Sequence, residues 1–240
     1  MIWIVVALGA GLAAAGVLLW YAATVPSSQL FGPALVRGAT DRRVVALTFD
    51  DGPASPYTEQ ILDILRDRRV PATFFVCGAN AERHPEIVRR IVAEGHVLGN
   101  HTYGHPYLFF RKRAAIAEQI DRAQDLLEKL VGIRPKLFRP PYGIRWFGLS
   151  GVLRERGMEM IQWSDTGFDW KLGSNGIARS CLKKLRNGSV ILLHDGHKVR
   201  GGNGVDRSRT VQALPLVIDG VLEAGFSFVP IHEFLPRTGT

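Results

Sequence analysis

The chain of 240 residues is long enough for one large domain or two small ones with a substantial core. Its 46% apolar and 22% charged residues exclude a disordered chain, and its two cysteines, Cys77 and Cys181, exclude a disulfide scaffold or a four-cysteine zinc site. The net charge of +8 suggests an acidic partner, which could be a nucleic acid, an anionic membrane surface or an acidic polymer.

The first 24 residues carry no charged side chain. Residues 2–23 are an apolar run of the length needed to cross a bilayer, about 20 residues, and tryptophans lie near both ends at Trp3 and Trp20. We expect residues 1–24 to form a transmembrane signal-anchor helix, since a soluble core helix would show a polar face and the run is long for a cleaved signal peptide. Residues 25–42 are predicted to be a linker.

From residue 43 onward, short apolar runs alternate with helical patterns. Seven runs predict strands, over 44–49, 72–77, 96–99, 136–138, 158–163, 189–193 and 226–231. Helices are predicted over 57–68, 149–156, 177–186 and 210–224. Another is predicted to begin at Pro85 and end at Gly95, and a long amphipathic helix that carries Ile116 and Ile120 is predicted to end at Gly132.

This alternation is typical of a parallel α/β sheet, open or closed into a barrel. The region 43–235 is short for a complete eightfold barrel, which typically has about 250 residues. We therefore predict an α/β fold: a distorted (β/α) barrel with about seven strands, preceded by one transmembrane helix. The whole of 43–235 is expected to form a single catalytic domain.

Ionisable residues follow five of the predicted strands at the point where each ends. They are Asp50 and Asp51, His101 and His105, Arg139, Asp169, and His194. The carboxyl ends of parallel strands share one face of a barrel, and active sites form there. Five separate segments that bring such groups to one face are a stronger signal than any single motif.

The spacing His101-x-x-x-His105 places both imidazoles on one side if the stretch is helical, as a divalent metal requires. Two histidines and one carboxylate form a common three-ligand set, although H-x-x-x-H alone is a weak signal. The adjacent Asp50 and Asp51 supply carboxylates that point in opposite directions on an extended chain, so that one can bind a metal while the other takes a proton. The same D-D-G-P stretch is also suited to a plain turn.

These segments resemble, in order, the five motifs of the polysaccharide deacetylases, also called the NodB-homology domain or carbohydrate esterase family 4. The segments read TFDDGP (48–53), NHTYGH (100–105), RPPYG (139–143), DW (169–170) and LLHD (192–195). The resemblance covers 43–235 and implies a metal-dependent hydrolase that removes N-acetyl groups from the amino sugars of a chitooligosaccharide- or peptidoglycan-type glycan.

By this resemblance Asp51, His101 and His105 hold the metal, most often zinc. Sites of this chemistry also suit Co, Fe, Ni or Mn. The resemblance makes Asp50 the general base, and it makes His194 the general acid that protonates the leaving amine.

The remaining implied residues support these groups or contact the substrate. Arg139 orients Asp50 and Asp169 orients His194, and an ordinary surface ion pair is the alternative for Arg139. The residues expected to contact the substrate are Pro141, Tyr142 (through its backbone N–H), Trp170 and Leu192. Plain core packing is an equal alternative for Trp170 and Leu192. The segment before Asp169 is one residue longer than the family pattern, which leaves a role for Asp165 in doubt.

Two other functions are left open: deformylation or deacylation of a lipid-linked amino sugar, and non-catalytic glycan binding. Nucleic acid is not expected as a partner, because basic and aromatic residues are not interleaved in a nucleic-acid motif. The expected partners are an N-acetylated glycan and, through residues 1–24, a membrane. We expect a membrane-anchored enzyme with its catalytic domain outside the cytoplasm, although the charge pattern alone leaves the orientation open. The glycine-rich basic stretch 201–209 is expected to be a surface loop, with contact to the substrate as the alternative.

Overall fold

The computed structural model describes residues 2–197 and 206–235, which form an α/β fold. The described strands are β1 (Val44–Asp50), β2 (Ala72–Val76), β3 (Val97–Asn100), β4 (Leu137–Phe138), β5 (Glu159–Met160), β6 (Asp165–Thr166), β7 (Val190–His194) and β8 (Ser227–Phe228). The described helices are α1 (Ile2–Thr24), α2 (Tyr57–Arg68), α3 (Gly78–Arg83), α4 (Pro85–Ala93), α5 (Arg113–Val131), α6 (Leu149–Glu155), α7 (Ser174–Leu182) and α8 (Ser208–Glu223). Short 3-10 turns cover Pro141–Gly143 and Ile231–Phe234.

The strands form one parallel sheet in the order β5-β4-β3-β2-β1-β7-β6, and β8 pairs with the start of β1. Within the described residues, β5 and β6 lie at the two ends of this order and do not pair with each other. The sheet is therefore a distorted barrel that is not fully closed, in agreement with the predicted barrel of about seven strands.

Strand β1 lies in the interior of the sheet, between β2 and β7, and all seven of its residues are buried. Parallel sheets are covered on both faces by helices, which explains why β1 reads as a continuous apolar run rather than an alternating one. Inside the largest core cluster, Phe49 of β1 stacks on Phe74 of β2 with ring centroids 5.1 Å apart. This rigid centre fixes the position of the residues at the carboxyl end of β1.

Helix boundaries follow the local signals where those signals are strong. Pro85 begins α4, and Gly132 ends α5 in a left-handed conformation (φ 69°) that glycine adopts without strain. The predicted strand 158–163 is shorter in the structure, since β5 covers only Glu159–Met160 and β6 follows after a short break. The first turn of α8 begins at Ser208, inside the predicted loop 201–209, of which residues 201–205 lie outside the described part of the chain.

The expected membrane anchor is corrected by the structure. Crossing a bilayer takes about 20 apolar residues, and none of the helices, taken over the residues that are described, is long and apolar enough. The transmembrane helix predicted for 1–24 is contradicted, and with it the membrane partner and the membrane-anchored location. One physical reason lies at the end of α1, where Ala22 and Ala23 are buried against Phe31 in a small cluster of the folded domain.

The segment after α1 packs on the barrel. Leu35 forms a parallel bridge to Ile161, and Arg37 forms an antiparallel bridge to Ser189. The buried guanidinium of Arg145 donates hydrogen bonds to four backbone carbonyls at the end of α1 and just beyond it, those of Ala22, Val25, Pro26 and Ser28. Residues 22–37 are thus held against the segments that adjoin β5 and β7 and against the loop that follows β4.

Candidate active site

The predicted site residues lie together at the carboxyl end of the sheet. Asp50 and His194 are the last residues of β1 and β7, which pair in register with each other. His101 follows β3 directly, and Arg139 follows β4. Because parallel strands end at the same edge, residues that are far apart in the sequence come close together.

Asp51, His101 and His105 form a compact, buried cluster whose ligand atoms all lie within 4.8 Å of one another. Asp51 Oδ1 is 3.0 Å from His105 Nε2 and 3.4 Å from His101 Nε2. One carboxylate oxygen therefore faces two imidazole nitrogens, which is the donor set of a three-ligand metal site.

The histidine pair is not helical, in contrast to the geometry assumed from its spacing. Residues 101–105 form a tight loop in which Thr102 (φ 66°) and His105 (φ 52°) adopt left-handed conformations. The Asn100 side chain accepts a hydrogen bond from the N–H of Thr102, and the Thr102 hydroxyl accepts one from the N–H of His105. Asp51 is also left-handed (φ 74°), so the surrounding fold maintains strained backbone at each of these three positions.

The residues present fit a divalent metal. His101 Nδ1 lies 2.7 Å from the Arg139 carbonyl oxygen, which places the proton on Nδ1 and leaves the lone pair of Nε2 toward Asp51. Such hydrogen bonds on the outer ring nitrogen are the usual way in which proteins orient ligating histidines. In His105 the corresponding atom, Nδ1, is buried without a hydrogen-bond partner among the described residues.

The charge states of this cluster also suit a metal. Burial alone would raise the pKa of Asp51, but the imidazoles of His101 and His105 beside it and the charge of nearby His194 lower it to well below its usual range. Burial lowers the pKa of His105, and the attraction of Asp51 offsets this only in part. A metal site needs an ionised carboxylate and a neutral imidazole, and these shifts favour both states, at Asp51 and at His105 respectively.

Asp50 lies beside this cluster and is held by Arg139. Its Oδ1 accepts a hydrogen bond of 2.6 Å from Arg139 Nη1, and its Oδ2 is 3.9 Å from His101 Nε2. Arg139 is completely buried, and its remaining N–H groups are directed at the hydroxyl of Thr48 and the carbonyls of Ile161 and Gln162. Arg139 is therefore not part of a surface ion pair, which was the alternative interpretation of this residue.

His194 is paired with Asp169. The Nδ1 of His194 lies 2.8 Å from Asp169 Oδ1, while Asp169 Oδ2 accepts hydrogen bonds from the His194 backbone N–H and from the hydroxyl of Thr210. Burial would lower the pKa of His194, but the charge and hydrogen bond of Asp169 raise it above its usual value. Burial would raise the pKa of Asp169, but the charge and hydrogen bonds of His194 together with the charge of Arg207 lower it, which favours the ionised carboxylate. The pair stabilises a protonated imidazole.

The four residues predicted to contact the substrate surround these groups. Leu192 is buried and lies on the same face of β7 as His194, because alternate residues of a strand share a face. The indole of Trp170 packs edge-on against His194 at 5.3 Å and is 54% exposed. Pro141 is buried in the 3-10 turn, and the Tyr142 ring lies 4.6 Å from His105.

Sequence reasoning missed several residues of the site. Tyr107 stacks on Tyr142 with ring centroids 4.0 Å apart and nearly parallel planes. The rings of His105, Tyr142 and Tyr107 therefore form a continuous row. Asn80 donates a hydrogen bond of 2.7 Å to the carbonyl of Asp51 from the unpredicted helix α3. Arg207 and Thr210 reach the site from the start of α8. No short motif marks these positions, and for Arg207 the glycine-rich context suggested a plain surface loop.

With this geometry in view, comparisons with known proteins agree on one family. A family model described as polysaccharide deacetylase matches residues 37–161. A peptidoglycan-N-acetylglucosamine deacetylase of Bacillus cereus is 39% identical over 197 residues, which are 81% of this chain and 69% of that protein. A chitooligosaccharide deacetylase of a Bradyrhizobium species is 36% identical over 197 residues, which are 80% of this chain and 90% of that protein.

A solved structure gives the same result. The crystal structure of a peptidoglycan N-acetylglucosamine deacetylase in complex with a naphthalenyl N-oxidanyl-benzamide has a TM-score of 0.78 to this protein at 37% sequence identity. The match covers 84% of this chain and 92% of that chain. Sequence identity at this level over most of both chains confirms the resemblance that the five motifs indicated, and the chain belongs to the polysaccharide deacetylase family, the metal-dependent hydrolases of carbohydrate esterase family 4.

Proposed function

We propose that this enzyme removes the N-acetyl group from N-acetylated amino sugars of a peptidoglycan- or chitooligosaccharide-type glycan. The observation that carries the proposal is the grouping of Asp51, His101 and His105, with Asp50 at 3.9 Å from His101, at the same sheet edge as His194. The names of the relatives, which describe peptidoglycan and chitooligosaccharide deacetylases, support this substrate class.

Asp51, His101 and His105 would hold a divalent cation, which when bound acidifies water and polarises an amide carbonyl. We propose zinc, because two imidazoles and one carboxylate are a frequent zinc ligand set. The carboxylate of Asp50 accepts a proton from the water that attacks the acetyl carbon. Arg139 holds Asp50 Oδ1 at 2.6 Å and so orients the carboxylate. By the family resemblance, the backbone N–H of Tyr142 stabilises the developing oxyanion.

His194 supplies the second proton. The C–N bond breaks only with difficulty unless the departing nitrogen is protonated, and the imidazolium of His194 is the group placed to do this. Asp169 orients His194 and stabilises its charged form. The products are then acetate and a free amino sugar, with the water proton on Asp50 replacing the one that His194 has donated. Leu192 and Trp170, which flank His194, are proposed to shape the space for the acetyl group, and Pro141 to line it.

The two other functions have less support. Deacylation of a lipid-linked sugar depended on an enzyme tethered at a membrane, and the structure contradicts that anchor. Non-catalytic glycan binding needs none of the buried charged pairs at this sheet edge. Such pairs are costly to bury and cluster at sites of chemistry. We also propose the region 43–235 as the catalytic domain, with 25–42 preceding it.

The proposed activity is tested by acetate release. Purified enzyme loaded with zinc is expected to release acetate from N-acetylglucosamine oligomers or from peptidoglycan, and removal of the metal with a chelator is expected to stop the reaction. An Asp51→Asn variant should bind zinc at least tenfold more weakly, since it loses the charged ligand. Absence of acetate from every glycan tested, while zinc is bound at one equivalent, would contradict the proposal.

The pH dependence of kcat/KM follows from the state of His194. The raised pKa of His194 keeps the imidazole protonated above its ordinary value of 6.5, so the alkaline decline in activity is expected above this pH. In an Asp169→Asn variant the charge that raises the pKa of His194 is lost, and the decline should move to lower pH. Asp219→Asn, an exposed aspartate of α8 paired with Arg68, serves as the control and should leave the profile unchanged. An unshifted profile in Asp169→Asn would show that His194 is not the titrating acid.

A further inference from the structure

Arg207 is a buried cation that the proposed chemistry does not use. Its side chain is 6% exposed, and its Nη2 lies 3.9 Å from Asp51 Oδ2. Its Nε donates a hydrogen bond of 2.7 Å to the carbonyl of Gly196, two residues after His194. Its Nη1 is buried without a hydrogen-bond partner among the described residues. A buried guanidinium with so few hydrogen-bond partners is costly, so its presence beside Asp51 calls for a specific role.

The buried carboxylates that the proposed chemistry uses, Asp50, Asp51 and Asp169, each lie near at least one basic side chain. Asp50 is paired with Arg139 and Asp169 with His194. The two oxygens of Asp51 face different groups, since Oδ1 lies toward the two histidines while Oδ2 lies toward Arg207. Arg207 is thus placed to keep one oxygen of Asp51 turned away from the imidazoles.

The hydrogen bond of Arg207 to the backbone of Gly196 also helps to hold Asp51 in place. Gly196 lies so close to Asp51 that a Cβ added to Gly196 would be 2.4 Å from the Asp51 carbonyl oxygen. By binding the Gly196 carbonyl, Arg207 supports the loop that packs against the backbone of Asp51. The side chain of Asn80, in α3, donates a hydrogen bond of 2.7 Å to the Asp51 carbonyl. Both the backbone and the carboxylate of Asp51 are therefore held in place.

We propose that Arg207 is a positioning residue for the metal site, which holds Asp51 as a ligand through one oxygen. This inference rests on the proposed function, since it concerns the metal that Asp51 would bind. Partners of ligating groups typically contribute about 10- to 100-fold to metal affinity. With Arg207 absent, Asp51 can rotate and present either one or both oxygens, which weakens binding and changes the coordination.

The test compares Arg207→Met with Arg209→Met. Arg209 is an exposed arginine two residues further on, in the first turn of α8, and it is the matched control. The full-length proteins are stripped of metal and titrated with Zn²⁺ by calorimetry, and the visible absorption of the Co²⁺-loaded proteins is recorded. We expect Arg207→Met to bind Zn²⁺ about 10- to 100-fold more weakly and to show an altered Co²⁺ spectrum, with Arg209→Met unchanged in both.

Zinc affinity that is unchanged or tighter in a folded Arg207→Met protein, with an unchanged Co²⁺ spectrum, overturns the proposal. If this variant fails to fold, Arg207→Gln retains a donor for the Gly196 carbonyl without the charge, and the same loss of affinity is expected from it. These readouts do not depend on turnover. A wild-type protein that binds neither ion would instead contradict the proposed function, which separates the two failures.

Discussion

An Asp50→Asn enzyme is expected to lose about 10²- to 10⁴-fold in kcat, the usual contribution of a general base. Asparagine has nearly the same shape as aspartate but cannot accept the proton of the attacking water. Zinc affinity should change by no more than a few-fold, because Asp50 Oδ2 is 3.9 Å from His101 Nε2 and Asp51 is the carboxylate nearest the two histidines. Single-turnover acetate release and zinc titration on the same preparation measure both quantities.

The control for this prediction is Asp165→Asn. Asp165 is also a buried aspartate with an arginine neighbour, since its Oδ2 lies 3.5 Å from Arg37. Its substitution removes a buried carboxylate without touching Asp50 or the histidine cluster, so kcat should stay near the wild-type value. If Asp50→Asn retained more than a tenth of the wild-type kcat, another group would have to be the base.

Replacing Arg139 by methionine is expected to damage both stability and activity. Breaking a buried ion pair by removing one partner typically costs about 3–5 kcal/mol, because the remaining charge is left buried and unpaired. The carboxylate left behind is Asp50, which also loses the hydrogen bond that orients it. We expect the free energy of unfolding to fall by about this amount, as measured by urea denaturation, and kcat to fall with it.

The double variant Arg139→Met, Asp50→Asn separates a charge effect from a packing effect. Removing both partners of a buried pair is less harmful than removing one, so the double variant should regain part of the stability while remaining inactive. Arg156→Met is a matched control, since Arg156 makes a bidentate pair with Asp121 at 2.5 and 2.6 Å but is partly exposed. Its loss should cost about 1 kcal/mol or less. Equal losses in Arg139→Met and Arg156→Met would contradict the importance of burial.

The grouping of the candidate site residues could be predicted from the sequence because these residues lie at strand ends. Asp50, Arg139 and His194 each end or follow an apolar run, and a parallel sheet brings such ends to one edge. The strand boundaries predicted from the strongly apolar runs 44–49 and 189–193 lie within one residue of those of β1 and β7. Short runs such as 158–163 were less informative, because a strand of two residues leaves almost no pattern.

What could not be predicted depends on long-range geometry. The spacing of His101 and His105 suggested a helix, but the side chains of Asn100 and Thr102 accept backbone hydrogen bonds that stabilise a loop with left-handed residues instead. Arg207 reaches Asp51 from a helix that begins more than 150 positions later in the chain, and nothing in its immediate neighbours indicates burial. The apolar run at the N-terminus was interpreted by composition alone, which does not reveal that its last turn packs against Phe31.

The binding of four carbonyls by Arg145 has a practical consequence for where this enzyme can be shortened. A chain that began after Ser28 would lack every one of these four acceptors and would leave the guanidinium buried beside the loop that carries Tyr142. Trimming the apolar N-terminus to improve solubility is therefore safest before Ala22, so that all four carbonyls are kept. A shortened version of the enzyme should therefore retain residues 22–28.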